Sequence, residues 1–293
     1  TPLSFIDDKL SLVLGTRYNY ASMDADKVVI SGSEGSIDGS WDEWTSSAHL
    51  VYQFTNDVSG FAGVSQGFRA PNLSDTTRNG DFGSSGTETP TTDLSPEYTT
   101  TYETGIKVTK YDWNMQASIF YTDMEDRIQR VDDTKVNIDD SELYGFELSG
   151  NYYFTDQLSL FGNISYVETD TDNYPGGDTT QPLVDDKFSK VPPLMGQIGL
   201  RYEPNRKLWI EPYVDWADQQ DNLSLADKSD DQRIPEDGTP GWATLNIRGG
   251  YQISENLRAS LGFFNITDTN YRHHGSGQNE AGRNVAFQLN YSF

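Results

Sequence analysis

Short segments with strictly alternating side chains recur along this chain, and that period-two pattern constrains its fold more than any other feature. The last stretch, NVAFQLNYSF, puts Val285, Phe287, Leu289, Tyr291 and Phe293 on one face. Asn284, Ala286, Gln288, Asn290 and Ser292 take the other. Such alternation marks a strand whose two faces meet different surroundings. The same pattern runs through 9–20, 44–54, 57–69, 98–110, 111–122, 142–154, 157–168, 191–203, 207–218, 241–252 and 256–267. With 281–293 these make about twelve strands of roughly the 9–11 residues that a tilted membrane strand needs. No amphipathic helix competes with them.

The two faces differ in chemistry. One carries Leu10, Leu12, Leu14 and Tyr18, then Trp113, Met115, Ile119 and Tyr121, then Tyr144, Phe146, Leu148 and Tyr152. It continues through Leu158, Leu160, Ile164 and Tyr166, then Leu208, Ile210, Val214 and Trp216, then Leu245, Ile247 and Tyr251, with no charge among them. The opposite face holds Glu103, Lys107, Glu147, Arg201, Glu211, Arg248 and Arg258 among Ser, Asn, Gln and Gly. Segment 57–69 fits least well, because Phe61 and Val64 fall on opposite faces.

Connections alternate too. TND (55–57), TD (155–156), EPNR (203–206) and SEN (254–256) are tight, whereas 21–43, 70–97, 123–141, 169–190, 219–240 and 268–280 are long. Short turns on one rim and long loops on the other are how outer-membrane barrels are built. Aromatics gather at strand ends as interfacial girdles would: Tyr152, Tyr202, Tyr251 and Phe293 at one rim, Tyr18, Tyr121, Tyr166 and Trp216 at the other. The fold expected is therefore all-β, an antiparallel transmembrane barrel. A soluble sandwich or barrel with an apolar interior is the alternative, and the loop asymmetry and girdles weigh against it.

Composition narrows the function. A net charge of -24 leaves no basic patch to meet nucleic acid. No window approaches the roughly 18 apolar residues of a membrane helix, but barrels average out to polar and escape that test. The chain has no cysteine, which excludes disulfides and thiol chemistry. It has no nucleophile elbow, P-loop or HExxH signature, so a binding or transport role is expected rather than an enzyme.

Several stretches resemble the barrel of TonB-dependent outer-membrane receptors. They are VSQGFRAPNLSD (64–75), LSPEYTTTYETGIK (94–107), LYGFELSGNYYF (143–154), NITDTNYRHHGSGQNEAGR (265–283) and the aromatic last strand. The resemblance runs in order through essentially the whole chain. It implies a 22-stranded barrel around an N-terminal plug, of which this sequence holds about half the strands and neither plug nor Ton box. The chain thus reads as the C-terminal part of a receptor; a self-contained barrel of twelve strands is the other reading. By the same resemblance, Tyr291 and Phe293 would form the address read by the barrel-assembly machinery. Glu103, Lys107, Glu147, Arg201, Glu211, Arg248 and Arg258 would face lumen and plug, and the plug would couple to the TonB complex. The parent would sit in a Gram-negative outer membrane against lipid and lipopolysaccharide. It would import a bulky scarce nutrient: a ferric siderophore first, cobalamin or haem behind it. A passive porin or adhesin barrel is the alternative outside the family.

Candidate ligand contacts lie in the long loops: Arg69, Phe82, Tyr174, Arg233, Tyr271, His273 and His274. Arg69 belongs to a FRAP stretch that in haem receptors precedes a histidine; residues 72–97 have none, and Pro71 reads as a strand end. His273 and His274 are adjacent, so in extended chain they point to opposite sides and read as solvated loop rather than a metal pair. Glu168, Asp170, Asp172 and Asp178 are spaced like calcium-loop oxygens but lack the rest of the EF-hand pattern. A surface calcium is the only cofactor they suggest, and a solvated acidic loop is the plainer reading, as it is for Asp227, Asp230, Asp231 and Asp237.

Overall fold

The computed structural model describes residues 3–5, 9–30, 33–81, 87–131 and 133–292. In chain order the elements are β1 (Leu3–Phe5), β2 (Leu10–Ile30), β3 (Ser33–Gln53), β4 (Val58–Arg69), a one-turn helix α1 (Leu73–Thr76) and a small ribbon of β5 (Gly80–Asp81) with β6 (Thr87–Glu88). Then come β7 (Glu97–Thr109), β8 (Trp113–Val131), β9 (Thr134–Thr155), β10 (Leu158–Asn173) and β11 (Val184–Asp186). The chain finishes with β12 (Met195–Asn205), β13 (Leu208–Ala217), the short helix α2 (Leu225–Ser229), β14 (Trp242–Gln252), β15 (Leu257–Phe264) and β16 (Asn284–Tyr291). Each long strand pairs antiparallel with the next in one 14-stranded sheet, β11 folding back onto the tip of β10. All twelve strands expected from the alternation are present, and β1 and β11 join them. Among the described residues the sheet does not close on itself: β1 pairs with β2 and β16 with β15 at its two edges.

Register turns the alternation into a belt. Ile119 lies opposite Phe146, Phe146 opposite Tyr166, Leu148 opposite Ile164, Val214 opposite Leu245 and Leu261 opposite Phe287, all on one face. Ile164, Tyr166 and Val214 are half-buried and the other six are exposed, from 36% for Phe146 to 64% for Phe287, so the face was built for a medium that tolerates contiguous hydrocarbon. Ring contacts border it. Tyr18–Trp44, Tyr102–Tyr121 and Phe146–Tyr166 mark the long-loop side, Tyr52–Phe54 and Tyr152–Phe154 the short-turn side. Segment 57–69 also resolves. Val58, Ala62 and Val64 face outward, and Phe61 turns inward opposite Gly105.

Two expected long loops are not loops. Residues 21–30 and 33–43 continue β2–β3, and 123–131 and 134–141 continue β8–β9, as ladders that run far beyond the girdle. Outward-facing charges begin just above the aromatics: Asp42 lies opposite Tyr20, and Asp123 opposite Glu142. Hydrophobic alternation stops there because the medium becomes water, but backbone pairing needs no lipid and goes on. The acidic run 168–173 is likewise the tip of β10, with Thr169, Thr171 and Asn173 buried. The compact hydrophobic core lies mostly in this outer region, where Val28, Ile37, Leu94, Val131, Ile138, Leu223 and Ile234 are buried.

The inner face is smooth. A Cβ at Gly105, Gly145, Gly199 or Gly262 would fall 2.5 to 2.7 Å from a ring carbon of Phe61, Phe120, Phe161 or Phe264. Each ring therefore lies flat on a neighbouring glycine instead of projecting inward, the cover that aromatic residues give to glycines in curved sheets. An arginine at Leu148, mid-belt and 39% exposed, should cost about 2–4 kcal/mol. At the adjacent Ser149, on the inner face, it should cost within about 0.5 kcal/mol. Urea unfolding of the full-length chain in vesicles measures both, and equal costs would mean the outer face does not meet lipid.

Candidate functional site: the loop-side mouth and the inner wall

Two single-turn helices organise the loops, and both use the same local chemistry. In α1 the Asn72 side chain accepts from the Asp75 N–H while the Asp75 carboxylate accepts from the Asn72 N–H. In α2, Ser224 and Asp227 make the same reciprocal pair. This is a capping box with aspartate in place of the usual glutamate. The aspartate has oxygen valence to spare, and each one gathers groups from other loops.

Asp75 receives Arg69 Nη1 at 2.7 Å and Lys135 Nζ at 2.9 Å. Arg69 also pairs with Glu97, whose other oxygen accepts the Ile128 N–H at 2.7 Å. The end of β4, α1, β7, β8 and β9 are thereby tied together. Burial pushes the Asp75 carboxyl up, but hydrogen bonds from Lys135, Asn72 and Arg69 outweigh it and leave it below the usual range. Arg69, expected at a ligand, is committed to this tie.

Asp227 is 2% exposed. It accepts from Ser189 Oγ at 2.7 Å, from the Lys190 N–H at 3.0 Å and from the Ser224 N–H at 3.3 Å. His274 Nε2 lies 3.7 Å from its Oδ2, and His274 Nδ1 is 2.9 Å from Thr239 Oγ1. Three loops meet there: the one before β12, the one carrying α2, and the one before β16. His274 is thus not solvated; its side chain is 1% exposed. Burial raises the Asp227 carboxyl, yet the neighbouring His274 and the hydrogen bonds from Ser189, Ser224 and Lys190 hold it down at about 2. Arg233 pairs with Asp230 at 2.8 Å beside this node, and Lys190 approaches the same carboxylate at 3.5 Å.

His273 goes elsewhere. Its ring stacks edge-on to Trp242 at 5.2 Å, and Tyr271 lies 4.3 Å from Trp242. Trp242 opens β14 on the inner face, opposite Ala217, so the three rings stand at the mouth of the lumen. Beside them Pro235, Pro240, Asn270, Arg272 and Asn279 line a hollow of about 210 Å³. Asn265 supports this loop from below with a left-handed backbone (φ 48°), its side chain bonding Thr269 and Ala281. It follows the last residue of β15, so the strand expected over 256–267 ends before it.

Down the inner wall below the rings, Gln197 and Asn246 both donate to Asp215, at 2.6 and 3.1 Å. Next come Arg201 and Arg248, each 2.6 Å from the 5% exposed Glu211. Their guanidiniums lie over the Trp209 and Tyr213 rings. Arg258 bonds Gln252 near the short-turn rim. Glu103, Lys107 and Glu147 stand on the same wall without an ion pair or hydrogen bond among the described residues. Of the seven charges expected to face the lumen, Arg201, Glu211 and Arg248 form one cluster, Arg258 bonds the neutral Gln252, and Glu103, Lys107 and Glu147 are unengaged among the described residues.

Of the other expected residues, Tyr174 is half-buried and enters a 3-10 turn at Pro175–Gly177. Tyr291 faces outward at 61% exposure. Phe82 and Phe293 lie outside the described residues. No group of three or more His, Asp or Glu converges to hold a metal among the described residues. Two of the four acidic residues are engaged, Glu168 by Lys187, Tyr166 and Asn222, and Asp178 by Thr180, while the Asp170 and Asp172 carboxylates make no such contact among the described residues.

No curated protein sequence matches the chain. Solved structures do. The copper transporter OprC superposes with a TM-score of 0.77 at 17% identity, over 99% of this chain and 47% of that one. The FrpB iron transporter from Neisseria meningitidis gives 0.74 at 18% identity, over 98% and 44%. The siderophore receptor PiuA from Acinetobacter baumannii gives 0.71 at 18%, over 97% and 41%. The chain thus spans less than half the length of these receptors, and at such identities the likeness is one of fold. The family profile described as TonB dependent receptor-like, beta-barrel matches residues 3–266. With its neighbour-paired sheet, outward hydrocarbon belt and loop-crowned inner wall, the chain belongs to the TonB-dependent receptor β-barrel family.

Proposed function

We propose that this barrel segment gathers and admits a ferric siderophore at the outer membrane, in a receptor powered through TonB. That coupling would run through a plug domain. The observation that carries the reading is the Trp242–Tyr271–His273 ring cluster at the lumenal mouth, flanked by Arg272, Asn270 and Asn279. Flat aromatic faces beside a cation and amides suit a bulky, planar-armed chelate read by shape and by a few hydrogen bonds. The solved structures of like fold are named for copper, iron and siderophore uptake, so metal acquisition is their common thread. Haem fits less well, because His274 is turned into the Asp227 node. Glu103, Lys107 and Glu147 are left for a plug to engage, and the terminal strand for the assembly machinery.

Binding in such a site benefits from loops already held in place, which is the part we assign to Asp227 and Asp75. Trp242→Ala and Tyr271→Ala should each weaken whole-cell binding of the cognate ferric chelate about tenfold. The assay uses iron-loaded catecholate and hydroxamate siderophores, with cyanocobalamin for comparison. Loss of TonB should abolish uptake and spare binding. Cobalamin binding alone, or uptake independent of TonB, would replace this reading.

Asp227→Asn should release the loops at 219–240 and 268–283, lowering their opening free energy by about 1–3 kcal/mol. Hydrogen exchange in those segments reads the change. In the unaltered protein the folded-state value lies below that of a free carboxyl, so the stabilisation is whole above about pH 4. It fades only as pH falls through about 2. Protection that declined between pH 7 and about 5 would mean that another group, and not this carboxylate, holds the loops.

A further inference from the structure

The hydrocarbon belt has gaps where its side chains stop, one of about 340 Å³ around Gly249 and a wider one between β9 and β10. On the outer face Gly150 and Gly162 lie directly opposite one another on β9 and β10. Inner-face glycines at 105, 145, 199 and 262 are each covered by an aromatic ring, but the atoms nearest the Cβ positions of these two are backbone and Cβ atoms of the neighbouring strand. The result is an apolar trough of about 560 Å³. Leu148 and Ile164 wall it on the side of mid-membrane, Tyr152 and Leu160 on the side of the short turns.

Its position is informative. Gly150 is two residues from Tyr152, a rise of about 7 Å, so the trough opens close to the short-turn girdle. Short turns face the periplasm in barrels of this kind. Trp113 stands opposite Tyr152 at that edge, and the Lys110 ammonium lies 5.7 Å from the Trp113 ring centre. A hydrocarbon slot continuous with the lipid belt, with a cation at its periplasmic mouth, has the two halves of an amphiphile's chemistry in the right order. The periplasmic leaflet of an outer membrane is phospholipid, whereas the opposite leaflet carries the lipopolysaccharide.

We infer that the Gly150–Gly162 trough holds one acyl chain of a periplasmic-leaflet phospholipid whose phosphate meets Lys110. A chain seated there fills space that no side chain of this protein fills, and it supplies the bare backbone with the dispersion attraction that a side chain would otherwise give. The cation fixes the headgroup and so favours phospholipid over neutral lipid. The inference rests on the chain's place in an outer membrane and not on its cargo. A receptor that failed to bind any ferric chelate would still carry this site.

The test uses the full-length receptor in vesicles of phosphatidylethanolamine and phosphatidylglycerol, with a trace of phosphatidylglycerol bearing a mid-chain diazirine. After irradiation, labelled peptides are mapped by mass spectrometry. Label should concentrate on β9 and β10 around residues 150 and 162. It should exceed that on the lipid-exposed face of β16 at Val285 and Leu289, which line no such gap. Gly162→Leu should reduce it to the β16 level. The added Cβ comes 3.1 Å from the Gln197 carbonyl oxygen, a strain of a few tenths of an ångström, and heat-shifted gel migration checks that the barrel still forms. Lys110→Gln leaves the trough intact and provides a second arm. It should lower labelling by the phosphatidylglycerol probe and leave labelling by a diacylglycerol probe with the same chain unchanged. Uniform label around the belt, indifference to both substitutions, preferential labelling by lipopolysaccharide, or a receptor–receptor cross-link through β9 and β10 would each overturn the inference.

Discussion

Everything in this structure follows from the fact that a peptide N–H or C=O in hydrocarbon has no water to turn to. The only relief is another strand at hydrogen-bond distance, so each long strand is paired along the belt with its sequence neighbours, and a bend or gap in the belt would leave groups stranded. Side chains are then free to differ completely between the faces. The outer one is selected for solubility in lipid, the inner one for a polar lumen. That few apolar side chains are buried within the belt among the described residues, such as Val108 and Tyr213, is a consequence of the same rule, since stability there comes mainly from backbone pairing and lipid contact.

Above the girdle the rule changes, and so does the architecture. Water satisfies stray backbone groups, so the loops can be irregular, and they hold together by burying a few apolar residues around carboxylates. Asp75 and Asp227 are compact devices for this. A one-turn helix presents its capping aspartate in a fixed pose, and a second and third loop donate to the oxygens that the cap leaves free. The local structure and the tertiary tie thus share one side chain.

How much of this was legible in the sequence depended on which medium wrote the signal. Lipid writes a strong one: Ile119, Phe146 and Leu148 could be assigned to the outer face from alternation alone. Water writes a weak one, which is why 21–43 and 123–141 read as loops although 21–30, 33–43, 123–131 and 134–141 are strands. The hydrophobic period that betrays a strand vanished at Asp42 and Asp123, while the pairing did not. The loop nodes were legible only in part. Asn72–Leu73–Ser74–Asp75 and Ser224–Leu225–Ala226–Asp227 are capping patterns that could have flagged both helices, but nothing local says that Lys135 or His274 will arrive from far along the chain. The stacking of His273 and the burial of its neighbour illustrate the same limit. The pair sits in a turn, with the Ser276 N–H bonding the His273 carbonyl, rather than on extended backbone, and what each ring meets is a tertiary fact.

The rings laid over Gly105, Gly145, Gly199 and Gly262 have a consequence for the passage itself. Because these four rings lie along the wall, each projects inward less than a ring without a glycine beneath it would. Exchanging one of them would therefore alter the chemistry of the inner wall more than its contour. In the uptake role proposed above, changes in selectivity would then fall to the ring cluster at the mouth and leave the wall below it as it is.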